Sequence, residues 1–207
     1  MSYVSEFVAL YEIFPYIEYL PLNNETIRVA VKDYIEGGKK KDVIVKRYGK
    51  MKDWNTSKVT DMFELFCDYN NFNEDISEWD VSKVNNMYGM FAGAENFNQD
   101  IGRWNVSNVE NMKGMFADAN NFNQPIGGWD TSKVTDMSLM FYRAENFNQP
   151  VEDWDTSNVT DMKDMFNRAR SFNQSIREWD TSKVTRIERI FYKAGSFNPE
   201  NAPWYHK

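Results

Sequence analysis

The apolar positions between Trp104 and Gly128 fall into two groups with different spacing. Met112, Met115, Phe116 and Ala119 stand at i, i+3, i+4 and i+7, which predicts one face of a helix of about two turns. Met87, Met90, Phe91 and Ala94 repeat the pattern, as do Met137, Met140, Phe141 and Ala144, and Met162, Met165, Phe166 and Ala169. A short acceptor side chain (Asp61, Asn86, Asn111, Asp136 or Asp161) precedes each predicted helix, placed to cap its free N–H groups. The second group, Phe122-Asn123-Gln124-Pro125-Ile126, predicts a short extended segment. Pro125 and Pro150 argue against a long central strand there. So short a helix does not persist alone in water, so neighbouring copies must hold it.

Those copies follow a fixed period. Trp54, Trp79, Trp104, Trp129, Trp154, Trp179 and Trp204 are spaced 25 residues apart without insertion or deletion. Such self-similarity is the mark of a stacked-repeat protein. Stacked at strand spacing, about 4.8 Å, six coils give a rod on the order of 30 Å long. Trp, Val, Met, Phe, Phe and Ile then lie on their own copies and form one continuous core. Asn73, Asn98, Asn123, Asn148, Asn173 and Asn198 recur as a column suited to satisfying backbone groups between coils. Ser57, Ser82, Ser107, Ser132, Ser157 and Ser182 fit the turn before each Val.

The run Trp129-Asp-Thr-Ser-Lys-Val-Thr-Asp-Met-x-x-Met-Phe-x-x-Ala-x-x-Phe-Asn-Gln resembles the BspA-like family, a branch related to leucine-rich repeats. The likeness runs from about Trp54 to Asn198, and the segment from Asn24 to Lys52 resembles the leader that precedes such arrays. The resemblance implies an α/β repeat solenoid, right-handed and leucine-rich-repeat-like, with a short strand and a short helix in each 25-residue coil. It implies no catalytic residues. Family members occur in mycoplasma surface lipoproteins, other bacterial and protist proteins, and giant DNA viruses. This sequence carries no lipobox or secretion signal of the mycoplasma kind, so the expectation is an intracellular protein, or one packaged in a giant-virus virion.

The ends break the period. Residues 1–53 are expected to form a helical N-terminal cap, 54–203 six repeats, and 204–207 a C-terminal tail. Within the cap, Phe7, Leu10, Tyr11 and Phe14 predict a first helix over 5–14, stopped by Pro15. Asn23 or Asn24 starts a second, with Ile27, Ala30, Val31, Tyr34 and Ile35 on one face and Gly37-Gly38 at its end. In the sixth unit Met gives way to Ile187 and Ile190, and Arg186 takes the capping position. Pro199, Pro203 and Trp204 suggest a thin terminating lid, an end suited to self-association or to another protein.

Charge narrows the partners. The net charge is -7, carried by the repeats: residues 54–207 hold fifteen basic and twenty-three acidic side chains, against nine and eight in residues 1–53. An acidic array argues against nucleic acid as a ligand. Lys39, Lys40, Lys41, Lys46, Arg47, Lys50 and Lys52 crowd the cap, either as a site for an acidic partner or as a solvated face. No apolar run reaches the roughly 20 residues needed to span a bilayer.

Chemistry is sparse. His206 is the lone histidine and Cys67 the lone cysteine, the latter at a repeat position that varies. No phosphate loop, metalloprotease motif or nucleophile elbow is present, so neither an enzyme nor a cofactor is expected. Asp61, Asp136 and Asp161, and Asp80, Asp130, Asp155 and Asp180, form columns that could hold calcium or serve as turn residues. The leading expectation is a non-enzymatic scaffold for protein–protein interaction. Its partner-binding candidates are Tyr142, Arg143, Arg168, Arg170, Tyr192 and Trp204, with Tyr69, Glu74, Asp75, Arg103, Glu152, Asp153 and Arg177 as further variable positions. A structural component of a larger assembly and a carbohydrate-binding module using Tyr88, Tyr142 and Tyr192 are the alternatives.

Overall fold

A computed structural model describes residues 20–206. The helix predicted over 5–14 lies outside the described residues. Two helices open the described chain. Helix α1 spans Asn24–Glu36, and α2 spans Gly38–Tyr48. Asn23 caps α1: its side chain accepts the Glu25 and Thr26 N–H groups, while the Thr26 hydroxyl accepts the Asn23 N–H. Ile27, Ala30, Val31 and Tyr34 form the buried face of α1, and Ile44 and Tyr48 that of α2. Gly37, at φ 79°, reverses the chain between them, a conformation that costs glycine little.

From 54 to 198 the described chain contains no α-helix and no strand. The expected α/β solenoid, with a strand and a helix in each coil, is therefore wrong. Each coil is built from turns. Met112, Gly114, Phe116 and Asp118 donate their N–H groups forward to the carbonyls of Asp136, Ser138, Met140 and Tyr142 in the next coil, at 2.7–3.0 Å. Met115, Ala117 and Ala119 donate instead to the carbonyl three residues back. An α-helix would send these donors four residues back. Gly114 and Asp118 have φ of 60° and 56°, as the third residue of a type II turn requires. Two such turns in succession point Met112, Met115, Phe116 and Ala119 inward, the spacing that reads as a helix face.

The expected strands are equally reduced. Parallel bridges one residue wide link Asp61, Asn86, Asn111, Asp136, Asp161 and Arg186 in series. The Phe-Asn-x-x-Ile segments pair through side chains: Asn123 donates its N–H to Asn98 Oδ1 at 2.9 Å, and Gln124 Nε2 reaches the same asparagine's oxygens. Every tryptophan from Trp79 to Trp204 donates Nε1–H to the carbonyl 28 residues earlier, as Trp129 does to Ile101. Close coil contact also explains a sequence pairing. A Cβ on Gly127 would lie 2.6 Å from the Pro150 carbonyl oxygen, and one on Gly102 would collide with that of Pro125.

Inside the stack, Phe116 lies 3.9 Å from Phe122 within its coil, and 5.6 Å from both Phe91 and Phe141 in the flanking coils. All these rings are wholly buried. The two ends are closed differently. Over the first coil, Tyr34 meets Trp54 edge-on at 5.6 Å. Asn24 Oδ1 accepts the Thr60 and Asp61 N–H groups, and Arg28 donates to the Phe63 carbonyl. At the far end, 3-10 turns over Pro199–Asn201 and Pro203–His206 fold across the last coil and stack Trp204 on Trp179 at 6.4 Å. Val184, Ile187, Phe191 and Phe197 remain half-buried there. Among the described residues no helix is long and apolar enough to cross a membrane.

Candidate functional site

The turn ladder forms one long face of the stack, and its chemistry varies where its backbone does not. Two positions per coil have positive φ. One column reads Glu64, Gly89, Gly114, Leu139, Asp164 and Arg189, the other Asp68, Gly93, Asp118, Arg143, Arg168 and Lys193. Nine of these twelve are not glycine, although a left-handed conformation costs other L-residues about 1–2 kcal/mol. The forward hydrogen bonds hold the conformation in place. Side chains at these positions project from a backbone that the neighbouring coils fix.

The second column changes sign along the stack. Its first half carries Asp68 and Asp118, and its second Arg143, Arg168 and Lys193. Beside it, Glu95 and Glu145 give way to Arg170. The halves meet in ion pairs: Arg143 lies 3.1 Å from Asp118, and Arg170 lies 3.5 Å from Glu145. Asp68, Glu95, Asp118 and Arg143 border a hollow of roughly 390 Å³. Partial burial raises the Asp118 carboxyl above its ordinary pKa despite the nearby Arg143 guanidinium, and the Glu95 and Asp68 carboxylates add to that.

The structure gathers Tyr142, Arg143, Arg168 and Arg170 on this face, with Tyr192 in the last coil. Tyr192 is 49% exposed and carries Lys193 Nζ 5.2 Å from its ring centre. Trp204 belongs elsewhere: its ring stacks on Trp179, and its Nε1–H is taken by the Ile176 carbonyl. Sequence reasoning missed Arg189 and Lys193. Glycines 89, 93 and 114, sitting inside a supposed helix, were the signal that these columns are turn positions.

Other candidates are used by the fold. Asp80, Asp130 and Asp180 each accept the N–H and hydroxyl or N–H alone of the serine two residues on, bonds that hold their carboxyls below the ordinary value. Asp61, Asn86, Asn111, Asp136 and Asp161 likewise accept the N–H two residues on, an Asx turn in place of a helix cap. Among the described residues no three His, Cys, Asp or Glu side chains converge to hold a metal. Burial, then the Asp68 and Glu64 carboxylates, push the Cys67 thiol up to about 11, which leaves little thiolate at neutral pH. Tyr88 is flanked by Phe63 at 5.0 Å and Lys113 at 5.5 Å, which crowds the ring as a sugar platform. In the basic cap, Lys40 pairs with Glu36 and Asp33, while Lys41 pairs with Glu74 and sits 4.0 Å from the Tyr34 ring centre.

Comparison with known proteins finds one family. The profile of the family described as "Mycoplasma protein of unknown function, DUF285" matches residues 40–132 and again 121–207. No curated protein matches the chain, and no solved structure does.

Proposed function

The chain belongs to this repeat-containing family, uncharacterised in function, and we propose that it is a non-enzymatic scaffold that binds another protein through the turn-ladder face. The observation that carries this reading is the sign change in one column, from Asp68 and Asp118 to Arg143, Arg168 and Lys193. A core that repeats beneath a surface that does not is the division of labour expected of a binding array. Arginine and tyrosine are frequent anchors in interfaces, and Tyr142, Arg143, Arg168, Arg170 and Tyr192 lie together on the basic half. The resemblance of the repeat to the BspA-like branch supports the same reading. So does the use of the regular acidic residues in turns, where their oxygens accept N–H and hydroxyl groups of the fold.

The test places a photo-reactive amino acid at Tyr142, at Arg170 and, as a control, at exposed Val43 on α2. The protein is purified from its native source under mild conditions after irradiation. A discrete adduct with one protein from the first two positions, absent at Val43 and weakened by Arg168→Glu, is the expected result. Adducts of equal yield at all three positions, or none at any, overturn the reading.

A further inference from the structure

We infer that the turn-ladder face takes a second copy of this chain, laid face to face with its stack reversed. This inference rests on the scaffold reading above and names the partner of that face. The geometry starts from the period. The 25-residue spacing runs without insertion or deletion from Trp54 to Trp204, so each surface position forms a regular column with one side chain per coil. A two-fold axis lying across the face, between the coils of Asp118 and Arg143, sets each column against itself with the order of the coils reversed. The coil of Asp68 then meets that of Lys193, the coil of Gly93 meets that of Arg168, and the two central coils meet each other.

Charge fits this register. Asp68 meets the second copy's Lys193, and Asp118 meets its Arg143. In the neighbouring columns Glu95 meets Arg170, and Glu64 meets Arg189. The other charges on these columns do not meet their like: Glu188 faces Phe63, Lys163 faces Tyr88 and Glu145 faces Asn120. Among the described residues Asp68, Glu95 and Lys193 make no ion pair within the chain, which leaves them to pair across the axis. Size fits as well. Gly114 meets Leu139, and Ala117 meets Tyr142. Gly93 borders the hollow of roughly 390 Å³ on the acidic half, and the second copy's Arg168 stands over it. Other registers fail. A slip of one coil in either direction sets Asp118 or Arg143 on its own copy. A parallel arrangement lays the coil of Glu64 and Asp68 on itself, and that of Arg189 and Lys193 likewise, so like charges oppose at both ends.

Sedimentation equilibrium of the full chain in low salt, at concentrations up to about 1 mM, is expected to show a dimer. With a photo-reactive amino acid at Tyr142, irradiation should join two copies, and the adduct should map to the peptide around Ala117. Two charge-reversal variants test the register. One carries Arg170→Glu with Lys193→Glu, the other Asp68→Lys with Glu95→Lys; all four side chains are exposed, and only Arg170 gives up an ion pair, its exposed contact with Glu145. Each variant sets like charges against one another across the axis and should self-associate about tenfold more weakly, while an equimolar mixture of the two should restore the dimer. A strict monomer, a dimer whose adduct maps elsewhere, affinity unchanged in both variants, or a mixture that associates no better than its components would each overturn the inference. The scaffold reading survives those outcomes if the photo-adducts at Tyr142 and Arg170 join a different protein, and falls with them if they join none.

Discussion

The two ends of the stack close the same kind of coil in different ways. Phe66 and Phe191 occupy the same repeat position. The first lies under α1 and is wholly buried; the second lies under a thin lid and is half-buried. At the first end the cap reaches the coil's polar groups as well as its rings: Asn24 accepts two N–H groups and the Arg28 guanidinium donates to the Phe63 carbonyl. At the last end the rings are partly covered, by Trp204 and by Tyr205 edge-on to Phe191 at 5.3 Å, and no described residue accepts the N–H groups of Ile187, Arg189, Phe191 and Lys193. The two ends thus differ in hydrogen bonds as well as in the burial of their rings.

The sharpest test of this contrast is a matched pair of cavities. Phe66→Ala should cost about 3–5 kcal/mol in urea unfolding, and Phe191→Ala about half as much. Equal losses would show that the lid seals its end as well as the cap does. Removing a polar bridge comes next: Asn24→Ala should cost about 1–2 kcal/mol, since it strips both a helix-end residue and the partner of two coil donors. Asn198→Ala, which removes the acceptor for the Glu200 N–H in the lid, should cost about 0.5–1 kcal/mol in the same measurement.

An interior control belongs to neither end. Leu139 holds φ at 60°, so Leu139→Gly should gain about 1 kcal/mol, read as a raised Tm. A loss instead would mean that its side chain contributes more than the strain it bears. The smallest effect is electrostatic. Serine donors depress the Asp80 and Asp130 carboxyls, so their contribution is complete above the unfolded pKa of about 3.9 and disappears as pH falls through the lower folded values. Asp118 has the opposite sign: its folded pKa is raised, so stability falls as pH rises through the range just above the ordinary value. Asp118→Asn should therefore leave Tm at pH 7 unchanged or about 1 °C higher, although it gives up the Arg143 pair.

The register of the fold was legible in the sequence, and so was its core. Trp104, Met112, Phe116, Phe122 and Ile126 are all buried, and their copies stack. The local conformation was not legible. Inward spacing of i, i+3, i+4 and i+7 arises from a helix or from two consecutive type II turns, and side-chain pattern does not say where the N–H groups go. Glycine would have marked the turns, but Leu139, Arg143, Asp164 and Arg168 stand at the equivalent positions. The asparagine column was legible: each side-chain oxygen accepts the N–H of the next coil's asparagine, the pairing that a strand's backbone would otherwise do. On the candidate face, Tyr142, Arg143, Arg168 and Arg170 were identified from variability. Arg189 and Lys193 were overlooked because they stand at turn positions, with φ of 58° each, that the side-chain pattern does not mark.

The tryptophan column has an optical consequence. Indole rings lie parallel within 5.8–6.4 Å for Trp54 with Trp79, Trp129 with Trp154, Trp154 with Trp179, and Trp179 with Trp204. At that separation their electronic transitions couple. The folded chain should show a shifted near-ultraviolet absorption band, and its fluorescence should stay polarised although excitation hops from ring to ring, because near-parallel rings hand on the same transition direction. Loss of the Trp204 rung would shorten that relay before any other coil opened, which gives fraying of the lid a spectroscopic signature of its own.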